Sequence, residues 1–211
     1  LPARFAFMLH PLDIHDVARK FPIAKKLPAG LVEAVLRRMG PMVASHITGV
    51  ESSHQSAEGW FVICPLTTRQ MVTYSEKLVL QKVLAAGRLA EKLGAGILGL
   101  GAYTAIVGDG GQWLADRLGI GVTTGNSYTA ATAIEATKIA AEFMEIDLAK
   151  SELAIVGATG SIGRACALLM ANECGTLTLV GRDGQKLEKL GDEVIRVTNK
   201  TPRLSTDLHE A

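Results

Sequence analysis

A short apolar run that ends in a glycine triplet constrains this chain more than any other feature. Leu153-Ala154-Ile155-Val156 has the length and character of a central parallel strand. It runs directly into Gly157-Ala158-Thr159-Gly160-Ser161-Ile162-Gly163, and a helical stretch from Arg164 to Asn172 follows. Each glycine has its own physical task. Gly157 lets the chain turn sharply off the strand, Gly160 lets backbone approach a pyrophosphate with no Cβ in the way, and Gly163 lets the helix lie close against the strand. The first helical N–H groups then face the phosphates with the positive end of the helix dipole behind them. A second strand, Leu177-Thr178-Leu179-Val180, completes the strand, turn, helix, strand frame that gives a glycine triplet its meaning. The bland alternative is a glycine-rich turn that binds nothing.

The tip of the second strand bears on which dinucleotide fits. A site for NAD places Asp or Glu there to accept hydrogen bonds from the ribose hydroxyls. This chain has Gly181-Arg182-Asp183, with Lys186 about one helical turn later. A carboxylate would repel a 2′-phosphate, whereas a guanidinium grips it with two charge-assisted hydrogen bonds. The expectation is NADP(H), with Arg182 as the reader and Asp183 and Lys186 beside it. The alternative leaves Arg182 solvated and gives the ribose to Asp183.

Composition supports an α/β architecture and excludes other classes. Among 211 residues, 22 basic side chains face 21 acidic ones, for a net charge of +1, so no basic excess marks a nucleic-acid binder. With 48% hydrophobic residues the chain is not disordered. Aromatics are only 5%, so the core falls to Ala, Val, Ile and Leu, and 22 glycines provide turns and close helix–sheet packing. Cys64, Cys166 and Cys174 form no CxxC pair, which fits a reduced, cytoplasmic protein. Arg4, His10 and Asp13 interrupt any signal-peptide core, and the longest uncharged apolar stretch, Gly94 to Gly108, is Gly-rich and too short to span a membrane. The chain opens Leu1-Pro2, so its natural start is expected to be missing.

The organisation expected is an N-terminal α/β domain over residues 1–127, a linking helix and connector over 128–150, and the first half of a Rossmann domain with a parallel sheet over 151–211. In the first part, Asp13 to Lys20 and Leu31 to Met39 read as helices, and Met42 to Val50 and Trp60 to Ile63 as strands around a polar turn, Ser52 to Glu58. One long helix is expected between Thr68 and Leu93, where Val79, Val83, Ala86, Ala90 and Leu93 make a buried stripe ended by Gly94. Ile97 to Leu100 is a short buried strand. After the linking helix, from about Tyr128 to Phe143, and the two strands already described, Val194-Ile195-Arg196-Val197 reads as a third strand.

Other candidate chemistry is thinner. Tyr103 and Thr104, with Thr124, Gly125 and Asn126, are polar groups on turns, suited to positioning a substrate carbonyl or a nicotinamide amide. Turn and N-cap chemistry explains Asn126 and Ser127 equally well. His10 and His15 have no cysteine or carboxylate cluster beside them, so a surface or helix-start role is expected and no metal site. Cys64 reads as a core thiol at a strand end and Cys166 as packing on the sheet. No residue stands out as catalytic.

Three segments taken together resemble the long-chain fatty acyl-[acyl-carrier-protein] reductase family of cyanobacteria and bacterial relatives. They are Leu100 to Ile106, Thr123-Thr124-Gly125-Asn126-Ser127-Tyr128-Thr129-Ala130, and Val156 to Gly163. A more distant likeness, in domain order alone, is to shikimate dehydrogenase and glutamyl-tRNA reductase. The first resemblance implies NADPH-dependent reduction of a fatty acyl thioester, on acyl-carrier protein or coenzyme A, to the aldehyde, through an acylated cysteine. No cysteine here matches that nucleophile, and the second mononucleotide-binding half would lie beyond Ala211. The chain is therefore expected to be a fragment, inactive alone. Two other readings stay open: a dehydrogenase of a small hydroxy or keto acid, and a non-catalytic NADP-binding module. A homo-oligomer is compatible with either.

Overall fold

In the computed structural model, which describes residues 3–210, the chain falls into two compact units, the first ending at Thr124 and the second beginning at Gly125. Each has its own sheet. The architecture is α/β, and every strand pairing but one is parallel.

The first unit is built on five strands: β1 (Ala3–Leu9), β2 (Met42–Glu51), β3 (Ser56–Ile63), β4 (Ile97–Leu100) and β5 (Gly121–Thr123). Their order is β2-β3-β1-β4-β5, with β2 antiparallel to β3. The central strand, β1, has no sequence signature. Phe5 and Phe7 are as apolar as the buried Ala6 and Met8 between them, so the period of two disappears. Helix α1 (Ile14–Lys20) begins at Asp13, whose carboxylate accepts the His15 and Asp16 N–H groups at 2.8 and 3.1 Å. A 3-10 turn (Pro22–Lys26) and α2 (Ala29–Arg38) follow, and Val17, Ala18, Ala24, Val32 and Leu36 give this helical layer its own small core.

The single helix expected over Thr68–Leu93 is two. Helix α3 (Thr68–Thr73) opens on a reciprocal capping box between Thr67 and Gln70, and α4 (Glu76–Lys92) carries the buried stripe of Val79, Val83, Ala86 and Ala90. Tyr74 and Ser75 between them are extended, and Ser75 takes the N-cap position that serine favours over a helix interior. The stripe packs on Met8, Val62 and Leu98 of the sheet. Beyond β4 come two single turns, α5 (Val107–Gly110) and α6 (Gln112–Ala115).

The second unit opens with α7 (Asn126–Phe143), and then runs β6 (Glu152–Val156), α8 (Ser161–Met170), β7 (Thr176–Val180), α9 (Gly184–Thr198) and β8 (Arg203–Ser205). The strands are all parallel in the order β6-β7-β8, with helical crossovers, the topology of one mononucleotide-binding half. The expectation of a strand at Val194–Val197 is overturned, because these residues close α9. Its β-branched run is misleading. Leu187, Leu190 and Val194 recur at three- and four-residue steps and are buried, whereas Ile195 and Val197 face solvent. The third strand, β8, lies further on and is only three residues long.

Candidate functional site

The glycine turn after β6 is shaped by three different constraints. Gly157 has φ +74°, a left-handed conformation that costs a side chain about 1–2 kcal/mol. A Cβ on Gly163 would lie 2.4 Å from the Gly157 carbonyl oxygen, so α8 sits against the turn as only glycine allows. Gly160 holds the N-cap position of α8 without any side-chain cap, which leaves the first turn of that helix open to an incoming anion. The Gly157 and Ala158 N–H groups are not part of this opening. Both donate to the Val180 carbonyl, at 2.9 and 3.0 Å, and tie the turn to the end of β7. Ala158 is fully buried and packs the core.

A cleft of about 820 Å3 lies over this turn, at the carboxyl ends of the strands. Gly157, Thr159 and Gly160 line it from one side, and Arg182, Asp183 and Lys186 from the other. The Asp183 carboxylate accepts the Lys186 N–H at 3.1 Å as the N-cap of α9, and lies 3.7 Å from the Lys186 ammonium. Its charge is thus partly matched within the loop. Arg182 is exposed and lines the same cleft. Thr206 and Leu208, beyond β8, also line it, and nothing in the sequence pointed to them, since the strand that carries them there is too short to show a pattern. The ensemble offers an uncapped helix end, small side chains for close backbone approach, and two cations. It can hold a dinucleotide by its phosphates.

Ser161, Ile162 and Gly163 form the first turn of α8. The structure joins two candidates that the sequence treated separately: the Asn126 side-chain amide donates to the Ser161 hydroxyl at 2.6 Å. Asn126 opens α7, and Gly125 before it is left-handed. Tyr103, Thr104 and Thr124 belong to the first unit. Thr104 is fully buried, its hydroxyl donating to the Gly101 carbonyl at 2.7 Å, so it closes a turn. The Tyr103 N–H donates to His10 Nε2 at 3.0 Å.

That contact corrects the expectation of a surface role for His10, which is only 6% exposed. Nδ1 faces the Pro11 carbonyl at 3.0 Å, so the ring is neutral with its proton on Nδ1, and burial pushes its pKa below the usual value. His15, by contrast, sits at the start of α1. Cys64 is fully buried and its thiol is pushed up to about 12 by desolvation, which disfavours the thiolate at neutral pH. Burial also raises the Cys174 thiol, and Cys166 is half-buried on α8. Among the described residues no group of His, Cys, Asp and Glu side chains could hold a metal ion, and no helix is long and apolar enough to cross a membrane.

No family model matches the chain. Its curated relatives include two proteins of quite different lengths. Aminotransferase PigE of Serratia sp. (strain ATCC 39006) is 32% identical over 194 residues, which are 88% of this chain and 22% of that protein. The long-chain acyl-[acyl-carrier-protein] reductase of Synechococcus elongatus (strain ATCC 33912 / PCC 7942 / FACHB-805) is 28% identical over 165 residues, 74% of this chain and 48% of that protein. Among solved structures, L-tryptophan dehydrogenase from Nostoc punctiforme aligns over 100% of this chain and 54% of its own, at a TM-score of 0.43 and 18% identity. The chain thus spans about a fifth and about half of the lengths of the curated proteins it matches.

Proposed function

We propose that this chain carries the coenzyme-binding portion of an NADP(H)-dependent oxidoreductase, and that the reaction is reduction of a fatty acyl thioester to the aldehyde. One observation carries the coenzyme half of the reading: an uncapped helix end and the exposed guanidinium of Arg182 line one cleft at the strand ends. The open first turn of α8 receives the diphosphate, Gly160 lets it approach, and Arg182 reads the 2′-phosphate. Asp183 is occupied as the N-cap of α9, which weakens the case for it as a ribose acceptor. The coenzyme supplies the hydride. Support for the acyl substrate comes from the likeness to the Synechococcus reductase, whose name states an activity of that kind. Cys64 and Cys174 are both buried and their thiols pushed up, which argues against either as the acyl-accepting thiol.

The test is a titration of the chain with NADPH and NADH, repeated on Arg182→Ala. A charge-assisted pair is worth roughly 1.5–3 kcal/mol, so the variant should lose about tenfold to a hundredfold in NADPH affinity and little in NADH affinity. Equal NADPH affinity in the variant would end the NADP(H) assignment. Aldehyde formation from acyl-carrier protein or coenzyme A thioesters, assayed on a protein of the relatives' length, tests the substrate. Turnover of a soluble hydroxy acid with none of an acyl thioester would overturn that half.

A further inference from the structure

The first unit holds a second cleft, of about 370 Å3, at the carboxyl ends of β1 and β3, where those strands meet the layer of α1 and α2. Its walls are apolar: Leu9, Met42 and Ile63 from the sheet side, and Val17, Phe21 and Leu36 from the helical layer. Three polar side chains also reach it, and each already has a partner in the chain. His10 accepts the Tyr103 N–H through Nε2 and presents Nδ1 to the Pro11 carbonyl. Asp16 accepts the Leu12 N–H at 3.0 Å and lies 3.3 Å from the Arg19 guanidinium. The Lys20 ammonium donates to the Ala44 carbonyl at 2.9 Å.

Of the three only His10 has every hydrogen-bonding position engaged, so a ligand that hydrogen-bonded it would have to break one of its pairs, at a cost of about 1–3 kcal/mol. A hydrocarbon asks nothing of them and gains by leaving water. We infer that this cleft is a binding site for an unbranched hydrocarbon chain, with the chain's polar end at the rim beside Lys20. An ammonium carries three donors, so Lys20 can meet a carboxylate or carbonyl there without giving up Ala44. Leu12 and Phe21, exposed by 59% and 40%, are apolar surface at this cleft that a bound chain would cover. The carboxyl ends of parallel strands are also where open α/β sheets take their ligands. The inference deepens the proposed function by giving an acyl chain a place, and rests on that reading for the head group alone.

The experiment is calorimetric titration of the 211-residue chain, without coenzyme, with hexanoate, octanoate, decanoate and dodecanoate below their micellar concentrations. Binding at one site should tighten along the series, by up to about fourfold for each methylene taken fully out of water. Phe21→Asp, at a partly exposed position, and Met42→Trp, which fills the cleft, should each weaken dodecanoate binding tenfold or more. An affinity that is flat with chain length, tighter binding of the compact 1-adamantanecarboxylate than of dodecanoate, or undiminished binding in Phe21→Asp would overturn the site. The two readings fail separately. Dodecanoate binding with no response to Arg182→Ala in the coenzyme titration leaves the cleft standing and removes the NADP(H) assignment; the converse pattern does the reverse.

Discussion

Substituting alanine at Gly163 should be the most damaging single methyl group that can be added to the glycine turn. The new Cβ would sit 2.4 Å from the Gly157 oxygen and 2.9 Å from the Ala158 Cα, both backbone atoms that no rotamer change can move. Ordinary contact begins near 3.4 Å, so α8 and the turn must part by about 1 Å, a displacement at the costly end of the roughly 1–3 kcal/mol seen for overpacking. Alanine returns up to about 1 kcal/mol in helix propensity, leaving a net loss of about 2 kcal/mol. Gly157→Ala meets no neighbouring atom and pays only for its left-handed φ, about 1–2 kcal/mol. Gly160→Ala places its Cβ 3.3 Å from the Gly157 oxygen, a contact that a small shift relieves, so its effect should fall on coenzyme affinity and hardly on stability. Urea unfolding of the three variants, paired with NADPH titration, separates strain, conformation and ligand clearance. A Gly163→Ala chain as stable as the parent would refute the close packing of α8 on the turn.

Three further outcomes are expected. His10 is held neutral by burial, so the unfolded chain takes up a proton that the folded chain refuses. Stability should therefore fall as pH drops below about 6.5 and level off below the lowered folded value, and His10→Gln should flatten that part of a urea-midpoint profile measured from pH 8 to 5. Under native conditions at pH 8, a thiol reagent should modify half-buried Cys166 first and reach Cys64 only at the rate of unfolding, a pattern that mass spectrometry of the labelled peptides reads directly. Asp183→Ala removes the N-cap of α9 and should cost about 1 kcal/mol in thermal or urea unfolding, while coenzyme preference is kept; a switch in preference would restore Asp183 as the ribose acceptor.

The parts of the fold that could be read from the sequence are those where one short segment holds the whole signal. The β6, turn, α8, β7 frame is of this kind, because an apolar run, spaced glycines and a second apolar run lie within thirty consecutive residues. The misreadings arise where two signals compete. Val194 to Val197 is β-branched enough for a strand, yet Leu187 and Leu190 upstream set a helical period that wins once those side chains find the sheet. Thr68 to Leu93 keeps a helical stripe through Tyr74 and Ser75 although the backbone there is extended. Within the candidate site, Arg182 follows from its place at a strand tip, whereas Thr206 and Leu208 arrive through a three-residue strand. The buried His10 accepts an N–H 93 positions away, and no local pattern encodes such a distance.

Strand β6 is bonded along one side only: β7 is its sole partner among the described residues, and it lies at the end of the order β6-β7-β8. Its residues Leu153 to Val156 also line an apolar groove with Ile134, Cys166 and Met170, and Val156 is 63% exposed. Unbonded amides next to oily walls are a template, ready to recruit any extended segment of matching register. A further parallel strand, from the same protein or from another molecule, would find its seat along that border, and a lysine introduced at Ala154 should hinder it.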